Sequence, residues 1–320
     1  MSYTSRLVSV AIATYNGEKY LRKQLDSIYN QTYQNIEVIV CDDCSDDNTI
    51  NILEEYSKKY NLIYYLNEYN LGYVKNFEKA ISLCNGDYIA LSDQDDIWLP
   101  QKLEVLVEEI DKNSVIHSDA FLIDNRDRTI SDSWTKFYKK NTNTEMIKCI
   151  FGENDITGCT CMITKEFVSK IIPFPKEFKY HDMWIAMVGI NNGGIKYIDK
   201  PLIMYRLHEN NVIGANTKEK KRLNSVVRKE YYLNFLSQCI VILHQSNLLK
   251  LDQNSIRAVI DNILMYSNRY NSFINLNAFK YTFKYYKYLF PRDTSSKKLL
   301  KILKLFIGNR LIALFERDTK

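Results

Sequence analysis

Through the first third of the chain, short apolar runs alternate with stretches whose apolar residues recur at helical spacing. Leu7–Ala13 is nearly continuous and apolar, the mark of a strand covered on both faces. It breaks at Thr14-Tyr15-Asn16-Gly17, a turn signal, and Tyr20, Leu21, Leu25 and Ile28 then fall on one face of a helix. Ile36–Cys41 predicts a second strand, Asn48–Lys59 a helix and Leu62–Leu66 a third strand. Val74–Cys84 predicts another helix and Tyr88–Leu91 a fourth strand, with a further helix opening at Leu99-Pro100. Strands alternating with helices of this length predict an α/β fold with a mostly parallel, doubly wound sheet. Thr14–Asn16, Asp42–Asp43 and Asp93–Asp95 should then line one rim of that sheet, beyond the carboxyl ends of its strands.

The rim is acidic. Asp93-Gln94-Asp95-Asp96 puts three carboxylates into four positions between two apolar elements, which is costly unless a cation or hydrogen bonds compensate them. Hard divalent ions such as Mg²⁺ and Mn²⁺ take oxygen ligands and share them with phosphates, so the cluster suggests a metal–diphosphate site. An acidic loop capping the next helix is the plainer reading. The rim lacks both the G-x-G-x-x-G of dinucleotide folds and the G-x-x-x-x-G-K-[ST] of phosphate loops. It offers an aromatic, Tyr15, that could stack on a base, and carboxylates that could accept from base or ribose donors.

Charge divides the chain. Residues 211–320 hold 20 Lys and Arg against 7 Asp and Glu, a net of +13, and the totals of 43 and 38 then leave residues 1–210 at −8. Two parts with different partners are expected, placed here at 1–212 and 213–320. Seven scattered cysteines fit reduced thiols better than a disulfide framework, and Cys41-x-x-Cys44 and Cys159-x-Cys161 lack partners at zinc spacing. Without a signal-like or bilayer-length apolar segment, a cytoplasmic protein is expected.

Several segments in order carry a resemblance: Val8–Asn16, Gln31-Thr32-Tyr33, Glu37–Thr49 and Gly86–Asp96 are similar to the opening of family 2 glycosyltransferases, and the likeness extends over roughly residues 6–210. The resemblance implies a GT-A fold and transfer of a sugar, with inversion, from a nucleotide diphosphate donor. By it, Asp93-Gln94-Asp95 matches the family's DxD element, with Asp95 a metal ligand for Mn²⁺ or Mg²⁺ and Asp93 a contact to ribose or metal. Ala13, Thr14, Tyr15, Asn16 and Asp43 match the nucleotide pocket, with Asp43 the partner of the pyrimidine ring. Gln94 belongs to the donor site as well, and Glu18 falls near it, though a solvated first-turn residue explains Glu18 equally well.

Tyr180-His181-Asp182-Met183-Trp184 opens a helix and resembles the family's ED motif, with His181 where Glu is commoner and Asp182 matching the catalytic Asp. An inverting transfer needs a carboxylate to take the acceptor's proton, and a helix start presents one rigidly. Gly158, His181 and Trp184 are the expected sugar and acceptor pocket. Tyr205-Arg206-Leu207-His208-Glu209-Asn210-Asn211 resembles the ending of bacterial rhamnosyltransferase-like members. It makes His208 a second metal ligand or diphosphate contact and Arg206 a partner for diphosphate charge, while His117 and His244 read as structural.

Beyond about residue 213, Thr217–His244, Gln253–Ser272, Ala278–Tyr288 and Ser295–Phe315 predict a helical C-terminal extension. Lys297, Lys298, Lys301 and Lys304 alternate with an apolar face, the pattern of a basic interfacial helix on an anionic membrane. Packing on the catalytic domain or in a homodimer is the alternative, and no nucleic-acid motif accompanies the charge. The resulting expectation is a metal-dependent inverting glycosyltransferase of cell-surface polysaccharide assembly. It would use dTDP-rhamnose or a UDP-hexose, act on a saccharide acceptor carried on a lipid, and sit at the inner face of the membrane. A sugar nucleotidyltransferase and a non-catalytic nucleotide-sugar-binding protein are the alternatives. The first should carry a Gly-rich basic loop after β-strand one, which Thr14-Tyr15-Asn16-Gly17 is not.

Overall fold

The computed structural model describes residues 6–140, 142–209, 225–271 and 284–285. These fall into two compact units, one within 1–144 and 154–216, the other within 145–153 and 217–320. In chain order the elements are β1 (Val8–Thr14), α1 (Leu21–Tyr29), β2 (Ile36–Asp42), α2 (Thr49–Tyr60), β3 (Ile63–Leu66), α3 (Tyr73–Leu83) and β4 (Tyr88–Ser92). There follow β5 (Ile97–Trp98), α4 (Lys102–Glu109), β6 (Val115–Ile123), β7 (Thr129–Ser131), α5 (Trp134–Phe137) and α6 (Met146–Ile150). A 3₁₀ turn over Gly158–Thr160 leads into β8 (Cys161–Thr164), α7 (Lys165–Ile171), α8 (His181–Asn191) and β9 (Ile195–Arg206). The last described helices are α9 (Ser225–His244), α10 (Ser246–Leu249) and α11 (Gln253–Asn271).

In the first unit one nine-stranded sheet runs β3-β2-β1-β4-β8-β6-β9-β5, with β7 paired to β6 outside that path. The β3-β2-β1-β4 half is parallel, as the alternation predicts. β8 then enters antiparallel to both β4 and β6, and β9 runs parallel to β6. Val8, Val10 and Ile12 pack with Leu21, Leu25 and Ile28 of α1 and Leu53 of α2 in the main core. The alternate positions Ala11 and Ile39 are buried as well, because α3 also packs on β1 and β2. Each such side chain contributes roughly 1.5–3 kcal/mol by leaving water.

This order positions the site. β1 is flanked by β2 and β4, so Thr14 lies level with Asp42, and Ile12 with Ser92. The chain runs to one side of β1 through β2 and β3, then crosses to the other side at β4. The gap between β1 and β4 is therefore the switch point at which open α/β sheets take ligands. Two antiparallel pairings bring distant segments to it: Ala90 pairs with Met162, and Ile97 with Met204.

The second unit is helical, with α11 packed on α9 and α6. Asp261 ties Arg257 (3.3 Å) and Lys284 (2.8 Å) and accepts the Tyr285 hydroxyl (2.9 Å). Of the expected helices at 217–244 and 253–272, the described parts are α9 and α11, while 217–224 and 272 lie outside the described residues. The basic helix over 295–315 lies outside the described residues, as does 278–288 apart from Lys284 and Tyr285. Among the described residues no helix is long and apolar enough to cross a membrane.

Candidate active site

The ends of β1 and β2 are zipped together by side chains. Thr14 Oγ1 donates to Asp42 (2.8 Å), whose carboxylate also accepts the Ser45 amide (2.9 Å). Asn16, at φ 49°, donates its amide to Ser45 Oγ (2.9 Å), and its side-chain oxygen accepts the Asp46 amide (2.9 Å). Glu18 Oε2 accepts the amide of Asn48 (3.0 Å), the residue preceding α2, so Glu18 caps that helix. Ala13 sits partly buried at the end of β1. Tyr15 is held differently: Gln94 accepts its amide and donates to its carbonyl, both at 2.9 Å, leaving the ring half exposed on the rim. A larger residue at Gly17 would have to displace that clamp, since a Cβ there would lie 2.5 Å from Gln94 Oε1.

Asp43 is buried and turned inward. Its carboxylate accepts from Asn67 Nδ2 (2.8 Å) and from the amides of Leu71 (2.7 Å) and Gly72 (2.9 Å). It thus shapes the 67–72 loop beside the rim. Asn76 reinforces this arrangement by bonding the Cys41 carbonyl (2.8 Å) and the Asn67 amide group (2.9 Å).

On the other side of β1, Asp93, Asp96 and Cys159 each place one ligand atom within 4.8 Å of the others. Burial, with Asp96, Asp95 and Asp182 adding repulsion, holds the Asp93 carboxyl well above the usual range. Burial and Asp95 push Asp96 up to about 7, opposed by the Arg206 amide that donates to it (2.9 Å). Asp95 Oδ2 meets His208 Nε2 at 2.7 Å, brought there by the β5–β9 pairing. Crowded carboxyls with one imidazole suit a hard divalent ion, whose charge would relieve their repulsion. The residues therefore fit such an ion. Cys159 is a poor ligand for it, because burial holds its thiol well above the ordinary range.

Arg206 is fully buried. It donates to the Asp95 carbonyl (2.7 Å) and the Asp124 carbonyl (3.0 Å), pairs with Asp127, and lies 4.5 Å from the Tyr20 ring centre. Instead of reaching into the rim, as the sequence suggested, it braces the Asp95 loop from behind. Trp184 is likewise 2% exposed, donates to the Ile171 carbonyl (2.9 Å) and packs on Phe178. It is thus a buried residue of α8 in the core.

Asp182 occupies the first turn of α8. Its carboxyl accepts the Met183 amide (2.7 Å), and burial pushes its pKa up to about 6 despite that bond, the Gly158 amide and the charge of Lys140. It raises Asp93 in turn, and both act on the Tyr73 phenol, so the three groups lie within electrostatic reach of one another. His181 packs face to face with Phe77 (4.3 Å) and edge-on to Tyr73 (6.2 Å), and burial lowers it to about 4. Gly158 lies directly against it, where a Cβ would come within 2.5 Å of His181 Nε2.

Residues 9–172, just over half of the chain, match the family model described as Glycosyl transferase family 2. The chain belongs to this family. It is a glycosyltransferase. Among its relatives, dTDP-rhamnosyl transferase RfbG of Shigella flexneri is 32% identical over 69% of this chain and 80% of that protein. The Escherichia coli UDP-Glc:alpha-D-GlcNAc-diphosphoundecaprenol beta-1,3-glucosyltransferase WfgD is 30% identical over 72% of this chain and 92% of its own length. S. aureus TarS 1-349 in complex with UDP-GlcNAc has the same fold, the GT-A type, with a TM-score of 0.59 at 20% identity over 96% of this chain and 83% of that one.

In this glycosyltransferase several groups at the site escape a reading of the sequence. Asn76, Cys159 and Lys102 enter it through strand register or from helices that read as ordinary. Asp96 belongs to the acidic run the sequence already marks. Nothing marks Lys102.

Proposed function

We propose that this chain is a metal-dependent inverting glycosyltransferase that moves a sugar from a nucleotide diphosphate to a saccharide acceptor. One observation carries the reading: Asp182, buried at a helix start with its pKa pushed up to about 6, lies close enough to the acidic cluster at the sheet's switch point to raise Asp93. A base close to a diphosphate-binding acidic rim is what a single displacement at an anomeric carbon requires.

The exposed Tyr15 ring stacks on the base, and Gln94 fixes its backbone. Thr14, Asn16 and Asp43 hold the shape of the nucleotide pocket through the turns they bind, with Asp43 bordering the pyrimidine. Asp95 and His208 would hold the ion, with Asp93 beside it or against the ribose. A divalent cation there supplies charge stabilisation for the departing diphosphate. Asp182 takes the proton of the acceptor hydroxyl as its oxygen bonds to the anomeric carbon. The bond to the diphosphate breaks on the opposite face, so configuration inverts without a covalent enzyme intermediate. Gly158 and His181 form the wall beside Asp182, and Arg206 keeps the Asp95 loop in place.

RfbG and WfgD carry dTDP-rhamnose and UDP-glucose in their names, which supports a dTDP-rhamnose or UDP-hexose donor here. WfgD's named acceptor is a diphosphoundecaprenol-linked sugar, and a lipid-linked acceptor suits the +13 C-terminal region, which would meet the anionic inner face of the membrane. The direct test is nucleoside diphosphate release from dTDP-rhamnose, UDP-glucose, UDP-GlcNAc and GDP-mannose, with Mn²⁺ or Mg²⁺ and after EDTA. One donor should be turned over, EDTA should abolish the turnover, and either ion should restore it. Full turnover after rigorous chelation would refute the metal assignment.

A further inference from the structure

Lys102 occupies an unfavourable place for a lysine. It is fully buried, and it is the first residue of α4, where the helix dipole disfavours a cation. Lysines are almost never buried this way unless paired. Its ammonium donates to the Cys159 carbonyl (2.7 Å) and lies 3.5 Å from the centre of the Trp98 ring. Burial lowers its pKa to about 7, while Cys159, Asp96, Cys161 and Asp93 pull it back up. A leucine or methionine would fill the same space without that cost.

The carbonyl it holds belongs to the Gly158–Thr160 turn, which touches both halves of the site. At one end the Gly158 amide supports the Asp182 carboxylate, and Gly158 abuts His181. At the other, the Cys159 side chain lies within 4.8 Å of Asp93 and Asp96 and hydrogen-bonds toward both. We infer that Lys102 is a positioning residue for sugar transfer: by anchoring the Cys159 carbonyl from beneath, it fixes the turn that holds Asp182 in register with the acidic cluster. Nothing in the packing of α4 alone calls for an ammonium there. A fixed turn between two reacting groups does, since a misplacement of about 1 Å can cost roughly 100-fold in rate.

This inference rests on Asp182 being the base, and the experiment separates the two. Full-length Lys102→Met and Lys102→Gln are compared with the parent and with Asp182→Asn. The readouts are UDP and dTDP binding by calorimetry, thermal midpoint, and the pH dependence of hydrolysis of whichever donor is turned over. Lys102→Met should bind nucleotide as the parent does but lose about 10–100-fold in kcat. Its acidic limb should move to higher pH, because Asp182 loses the support of the Gly158 amide. Lys102→Gln keeps a donor and should recover part of both effects. A Lys102→Met protein with a lowered midpoint but parental kcat and limb would overturn the inference, even if Asp182→Asn is inactive. An active Asp182→Asn would instead overturn the assignment of the base. If neither Lys102 variant folds, the residue serves core stability and the inference falls.

Discussion

At the scale of single residues, the site is built from groups held away from their ordinary ionisation. Asp182 is the clearest case, buried to 8% exposure with its pKa pushed up to about 6. The shift has a sign that can be checked. The folded chain prefers the protonated acid, so this group favours the fold while it is protonated. That contribution is lost as pH rises towards about 6, and above it the ionised carboxylate opposes folding. Asp182→Asn removes the cost and should be about 1–3 kcal/mol more stable than the parent at about pH 7–8, with the difference fading near about pH 4. Denaturation midpoints at the two pH values decide it. With Asp182 as the base, the same ionisation should make kcat rise through about pH 6 and level off above it, as a pH–rate profile would show.

At the scale of elements, the rim works because side chains from one strand end hold the backbone of another. Gln94, from the loop after β4, makes both of its hydrogen bonds to Tyr15, beyond β1. Gln94→Ala should leave the fold intact, free the Tyr15 turn and weaken nucleotide binding by about 10-fold, or 1.4 kcal/mol, as calorimetry with UDP or dTDP would show. Unchanged affinity would mean that the turn holds its shape unaided. What could be read from the sequence belongs to this scale. β1, β2 and β4 announce themselves by continuous apolar runs, so the rim positions Thr14, Asp42 and Asp93 followed from their ends. Asp182 followed from a motif at a helix start. The remainder depends on register across long separations. Met162 must pair with Ala90 before Cys159 reaches the acidic cluster, and Met204 with Ile97 before Arg206 passes behind Asp95. Nothing in the sequence singles out Lys102, and the burial of Arg206 depends on the same pairings.

At the scale of the whole molecule, an acidic catalytic portion is joined to a strongly basic one. Residues 1–210 carry a net −8 and residues 211–320 a net +13. This division suits an enzyme whose donor arrives from solution and whose acceptor sits in an anionic bilayer. Vesicles containing phosphatidylglycerol should therefore sediment the full chain, and salt should release it, since exposed charges are screened within about 10 Å at 0.1 M. Replacing Lys297, Lys298, Lys301 and Lys304 with Gln should reduce the sedimented fraction. Equal sedimentation of that variant would move the contact elsewhere on the surface.

The account depends most on Asp182 as the base, and one comparison reaches it directly: donor binding and sugar transfer by Asp182→Asn beside the parent. Asparagine keeps the size and some of the hydrogen bonding while removing the basicity. Nucleotide-sugar affinity should stay close to that of the parent, and transfer should fall by roughly 10²–10⁴. An Asp182→Asn protein that binds donor and transfers within a few-fold of the parent would contradict the account and send the search for the base to Glu153 or Asp155, the latter buried at 4% exposure.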